Sequence, residues 1–106
     1  MKTASHTIRS IISGLAKKEF SSGEIFRHYT TRIGLENSKL NAYLSVFSSP
    51  KAQTEQSSLG GVPCAIKDNI LIDGTVATAG SRILQNYVSS YDATVISRLK
   101  QAGAQF

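Results

Sequence analysis

The chain has 106 residues, 41% of them hydrophobic and 18% charged, and its formal net charge is +5. Such a length holds one small domain and such a composition belongs to folded globular chains, which excludes a disordered polymer. No apolar run approaches the roughly 20 residues that span a bilayer, and the single cysteine, Cys64, excludes an internal disulfide and fits a reducing compartment.

The positive charge is uneven. Residues 1–53 carry eight lysines and arginines against three acids, and residues 54–106 carry four against four. This fits an electrostatic footprint for nucleic acid and equally fits solvated helix faces; no interleaving of aromatic and basic residues adds to the first. His6 and His28 are far apart in sequence and read as surface residues, not metal ligands.

Ile8, Ile11, Ile12 and Leu15 fall on one face at helical spacing, with Thr7 as cap and Lys17 and Lys18 where the helix dipole favours cations. The segment is rich in Ser and Thr and has no acid before Glu19, so an organelle leader has the same pattern. Ser21 and Glu24 are spaced as a capping box for a second helix whose stripe is Ile25, Phe26, Tyr29 and Ile33, with Gly34 and Asn37 ending it. Leu40, Ala42, Leu44 and Val46 alternate with Asn41, Tyr43, Ser45 and Phe47, which predicts a strand with one buried face. Pro50 breaks it, and Lys51 to Ser58 reads as a loop or one helical turn.

The next fourteen residues, 59–72, carry the chemistry. Two glycines and a proline open the run, Val62 to Ile66 reads as a short apolar strand, and Lys67 stands at its end beside Asp68 and Asn69, which favour turns. Ile70 to Ile72 form a second apolar triplet. An ammonium held between two such triplets loses hydration, which lowers its pKa and makes a neutral, proton-accepting amine accessible. A solvated strand end with Asp68 in a turn fits the same spacing. Cys64 in that strand reads as a small buried apolar residue.

Asp73-Gly74 signals a tight turn that returns Thr75 to Thr78 beside the lysine strand, and Ala79 to Ser81 is a loop. Ser81 is placed to cap a short helix carrying Ile83, Leu84 and Tyr87. Asp92 is placed as the N-cap of a last helix whose apolar face is Val95, Ile96, Leu99 and Ala102, ending at Gly103. A helix that follows a strand packs on a sheet and returns to a parallel neighbour, which Ala104 to Phe106 begin. The expected fold class is α/β.

Gly61 to Asn69, followed by Gly74 and by Thr78 to Ser81, resembles the first conserved segment of the amidase signature family. Ser81 to Gly103 looks more narrowly like the members of that family that work in tRNA-dependent amidotransferases. The resemblance implies an α/β/α fold with helices packed on a mixed sheet, of which this chain is the N-terminal portion: residues 1–37 as helical lead-in and 40–106 as the start of the core. It also favours a domain helix over a leader at residues 8–15, because members begin with such a helix. Residues 51–58 depart from the family, which has a longer helical stretch there. The resemblance further implies a Ser-Ser-Lys triad in which Lys67 is the base, acting through a bridging serine on a nucleophilic serine, both serines lying in a glycine- and serine-rich segment outside this chain. By the same analogy the intact protein releases ammonia from glutamine, and the amidotransferase's B-subunit uses ATP and Mg to amidate Glu-tRNA(Gln) while its small C-subunit braces the assembly. This chain itself is expected to hold no cofactor or metal, to be inactive alone, to touch no membrane and to work in the cytoplasm or the mitochondrial matrix. A stand-alone amidase of the same family and a short partner-binding module are the competing functions.

Overall fold

A computed structural model describes residues 6–50 and 57–106. Helix α1 spans Ile8–Ala16, α2 spans Ser22–Leu40, a 3-10 turn covers Arg82–Leu84 and α3 spans Thr94–Gln101.

Both leading helices start where local chemistry satisfies the free N–H groups of a first turn. At α1 the Ser10 amide donates to Thr7 Oγ1 at 3.1 Å while the Thr7 amide donates to Ser10 Oγ at 2.9 Å. At α2 the Glu24 amide donates to Ser21 Oγ at 3.2 Å, and the Ser21 amide donates to Glu24 Oε2 at 2.7 Å, the reciprocal capping box expected from the sequence. The Ser21 backbone and hydroxyl donors hold the Glu24 carboxyl below its ordinary value.

The second helix does not end at Gly34 and Asn37. It runs to Leu40 and closes at Asn41, which takes a left-handed conformation at φ 50°. One exposed glycine costs a helix about 1 kcal/mol relative to alanine, too little to stop one that gains a backbone bond per residue. Asn37 acts one step later: its side-chain amide donates to Tyr43 O at 2.9 Å and its Oδ1 accepts from the Tyr43 amide at 2.8 Å, pinning the chain that leaves the helix. That clamp and the Asn41 cap take the place of the strand expected over residues 40–47. The alternation is present, but among the described residues no strand is formed over this stretch, and Phe47 packs against a core. Of the polar stretch after Pro50, residues 51–56 lie outside the described residues, and residues 57–61 form turns.

Two apolar clusters hold the described chain together. Ile11, Ile25 and Val62 are buried in one, with Leu15, Phe20 and Tyr29 packed around them, so the α1–α2 hairpin is seated on the start of the run that leads to Lys67. Ile11 and Leu15 of the expected α1 stripe meet Ile25 and Tyr29 of the α2 stripe here, whereas Ile8 and Ile12 stay exposed; burying one isoleucine fully is worth about 1.5–3 kcal/mol. Ile72, Ile96, Ala104 and Phe106 form the other, joined by Cys64, Ile66, Ile70 and Leu99. Leu59 touches both clusters.

The last helix ends as expected at Gly103, through a Schellman arrangement: Ala104 N donates to Leu99 O at 3.0 Å and Gly103 N to Lys100 O at 3.0 Å. That reversal sends residues 104–106 back alongside the lysine run, and Pro63 bridges Gln105 in parallel. The ladder is continuous, with Gly61 N to Gly103 O at 2.9 Å, Gln105 N to Val62 O at 2.9 Å and Cys64 N to Gln105 O at 2.8 Å. The parallel return expected from the sequence is therefore present, and its partner is the lysine run.

Thr75 to Ala77 do not run beside the lysine strand. They pair antiparallel with Tyr87 to Ser89 around the Val76–Val88 bridge, with Ser89 N to Thr75 O at 2.9 Å and Ala77 N to Tyr87 O at 3.0 Å. The turn at Asp73-Gly74 forms, but the hairpin partner comes from after the 3-10 turn. Ser81 stands at the head of that turn without a side-chain capping bond. Asp92 is likewise not the cap of α3, whose N-cap is Ala93. Its carboxylate is taken by two stronger claims, the Asp73 amide at 2.8 Å and the Lys100 ammonium at 2.6 Å.

Candidate active site

The run from Val62 to Lys67 is extended, so alternate side chains face opposite ways. Val62 is buried, and Cys64 and Ile66 are half-buried against the second cluster; Ala65 and Lys67 occupy the other phase and are exposed. Flanking apolar residues therefore do not shield Lys67 from water. The reason is register: Ile66, Ile70 and Ile72 pack against one core, while Lys67, one residue on from Ile66 in the extended run, takes the exposed phase. Among the described residues no hydrogen bond or ion pair engages the Lys67 ammonium.

Lys67 does line a cavity of about 370 Å³. Phe26 and Tyr29 of α2 form part of its wall, Tyr43 and Phe47 another, and the run from Val62 to Asp68 a third. It is largely apolar, and the lysine and Asp68 bring charge to its lining, the combination ordinary for small-molecule sites. Cys64 also lines it, but burial raises its thiol pKa, and a thiol kept protonated is a poor nucleophile. That agrees with its reading as a small packing residue.

The backbone at Lys67 is fixed on its C-terminal side. Lys67 O accepts from the Ile70 amide at 3.0 Å, closing the turn expected at Asp68 and Asn69. The Asp68 carboxylate Oδ2 accepts from the Thr78 amide at 3.1 Å and from the Thr78 hydroxyl, and Asp68 O accepts from the Ala79 amide at 3.2 Å. The Thr78 hydroxyl oxygen in turn accepts from the Gly80 amide at 3.1 Å. The sequence reads Asp68 as a turn residue and residues 79–81 as a loop, whose glycine allows either a close backbone approach to a ligand or a simple connection. No local signal links positions ten residues apart, so this cluster becomes visible only in the structure.

His6 and His28, distant in sequence, stand with ring centroids 6.2 Å apart beside Phe20 and Tyr29. Among the described residues no group of three or more His, Cys, Asp or Glu side chains is placed to hold a metal ion, and no helix is long and apolar enough to cross a membrane.

Comparison with known proteins gives one consistent picture. Residues 24–106 match the family model described as Amidase. The chain is 41% identical over 111 residues to the A-subunit of glutamyl-tRNA(Gln) amidotransferase from Syntrophobacter fumaroxidans, covering 94% of this chain and 23% of that protein. It is 40% identical over 110 residues to the protein of the same name from Lactobacillus acidophilus, covering all of this chain and 23% of the relative. Among solved structures, the glutamyl-tRNA(Gln) amidotransferase A-subunit of Thermotoga maritima superposes with a TM-score of 0.72 at 32% identity, over 97% of this chain and 23% of that one. An inhibitor-bound chain from a vestigial protein complex related to the origins of an s-triazine catabolic enzyme superposes with a TM-score of 0.76 at 25% identity, over 94% of this chain and 25% of that one. The chain thus spans about a quarter of the length of the relatives it matches.

Proposed function

The chain belongs to the amidase family, and from that premise we propose that it is the N-terminal portion of the glutaminase subunit of a tRNA-dependent amidotransferase. The observation that carries the reading is the place of Lys67: among the described residues it is the only lysine on the cavity, and it lies within the span that matches the family model. In this reading Lys67 is the base. Its neutral amine accepts, through a bridging serine, the proton of a nucleophilic serine as that serine attacks the glutamine carboxamide. Ammonia leaves, and water then releases glutamate from the acyl-enzyme. Both serines come from the glycine- and serine-rich segment outside this chain, as do the backbone donors that meet the charge developing on the carboxamide oxygen.

Lys67 is exposed within the described residues, and in this account the remainder of the protein covers the cavity. The chain alone is inactive in this account. We assign ATP and Mg to the B-subunit, which activates Glu-tRNA(Gln) and receives the ammonia, and a bracing role to the small C-subunit. The names of the bacterial relatives support a role in translation; the location that goes with this reading is the cytoplasm or the mitochondrial matrix. The test is Lys67→Ala in the full-length protein, assayed for ammonia release from glutamine. The expected outcome is loss of hydrolysis with the melting temperature unchanged; near-normal hydrolysis removes the assignment.

A further inference from the structure

A base on a four-carbon stem is only as well placed as the backbone beneath it, and here that backbone is tied to a distant loop. We infer that Asp68 and Thr78 form a positioning pair that fixes where the Lys67 amine is presented to the cavity. This inference rests on the assignment of Lys67 as the base, and it adds two residues that act through the backbone of Lys67 and not on the reacting atoms.

The geometry is a closed set of bonds. Asp68 Oδ2 accepts from both the amide and the hydroxyl of Thr78, Asp68 O accepts from Ala79 N, and Thr78 Oγ1 accepts from Gly80 N. Thr78 has every donor and acceptor in use on this one neighbour and its own loop: its O accepts from the Ser81 amide at 2.8 Å. Such a threonine is not interchangeable with valine of the same shape, because valine offers neither a donor to the carboxylate nor an acceptor to Gly80.

The loop so gripped is itself anchored and bent. Its N-terminal side enters the pairing with Tyr87 to Ser89, and Ala79 and Gly80 both take positive φ, 49° and 71°. A non-glycine residue held there costs free energy and persists only where its surroundings over-determine it. The bonds from Ala79 N to Asp68 O and from Gly80 N to Thr78 Oγ1 supply that determination. What they secure is the residue next to Lys67, whose own carbonyl is held by Ile70 N and whose predecessor Ile66 is packed in the core. The Lys67 backbone is thus restrained on both sides while its ammonium is engaged by none of the described residues: a stiff mount for an amine kept available.

Misplacing a reacting group by about 1 Å costs roughly 100-fold in rate. In the full-length protein Thr78→Val is therefore expected to lower kcat for glutamine hydrolysis by roughly 10- to 100-fold with KM unchanged, since the pair acts on presentation of the base and not on substrate binding. Thr78→Ser keeps the hydroxyl and is expected to restore kcat to near the parent value. The isosteric Asp68→Asn, which weakens the grip and serves if Thr78→Val does not fold, is expected to lower kcat.

Lys67→Ala run alongside separates the two claims. If Lys67→Ala is inactive while Thr78→Val or Asp68→Asn keeps parental kcat, the positioning role is overturned and the base stands. If Lys67→Ala stays active, the base assignment fails and the pair loses its object. Equal losses in Thr78→Val and Thr78→Ser, or a loss confined to KM, also overturn the inference, because the hydroxyl would then not be what matters.

Discussion

Gly61 is where the helical lead-in presses on the lysine run, and Gly61→Ala measures how hard. Its φ is +81°, and a Cβ built there lies 2.8 Å from Ser22 Cβ and 3.2 Å from Leu15 Cδ1. Ser22 Cβ is fixed to the first turn of α2 and cannot swing away as a long side chain would. Gly61 N also donates to Gly103 O at 2.9 Å, so the residue cannot retreat without loosening the parallel pairing. Forcing an L-residue into the left-handed region costs about 1–2 kcal/mol, and overpacking adds about 1–3 kcal/mol, so Gly61→Ala is expected to destabilise by about 2–5 kcal/mol. Gly74→Ala is the control, because it too has positive φ, +73°, but a Cβ there meets nothing within 4 Å; it should cost only the conformational part, about 1–2 kcal/mol. Urea unfolding of the two full-length variants gives the comparison, read from midpoints at constant slope. Equal midpoint shifts would refute the reasoning, since the clash with α2 would then contribute nothing.

Two further predictions follow from packing and charge. Ile25 is fully buried between α1 and the lysine run, and Ile25→Ala should destabilise by about 2–5 kcal/mol, measured in the same urea series; a shift under about 1 kcal/mol would mean the hairpin is not seated there. The Lys100 ammonium and the Asp73 amide hold the Asp92 carboxyl below its ordinary 3.8, so its stabilisation is fully present above that pH and is lost as pH falls through the lowered folded value. Asp92→Asn should therefore lower stability at pH 7 and flatten the loss of stability below pH 4, read from melting curves across that range; unchanged pH dependence would contradict the pairing.

What the sequence made legible was local. Thr7 as a cap and Ser21 with Glu24 as a capping box both act within three residues, so the helix starts are written in their own neighbourhood. The Gly103 stop and the parallel return after it also followed from a short pattern. What failed depended on partners elsewhere in the chain. Alternation over residues 40–47 looked like a strand, yet a strand needs a neighbour, and Asn37 and Asn41 turn the chain instead. Asp92 looked like a cap because aspartate accepts hydrogen bonds, but which donors reach it was decided by Lys100 and Asp73. The family segment around Lys67 was recognisable; the exposure of its side chain was not, because Cys64, Ile66, Ile70 and Ile72 pack against a core while the residue between them stays in the exposed phase.

The bridge between Pro63 and Gln105 also orders events in time. As a ribosome delivers the chain at roughly 5–20 residues per second, the segment bearing the lysine emerges seconds before the residues that complete its hydrogen bonding. Throughout that interval the Val62 carbonyl and the Gly61 and Cys64 amides lack the partners that Gly103 and Gln105 later supply, an open edge of the kind that invites pairing with other chains.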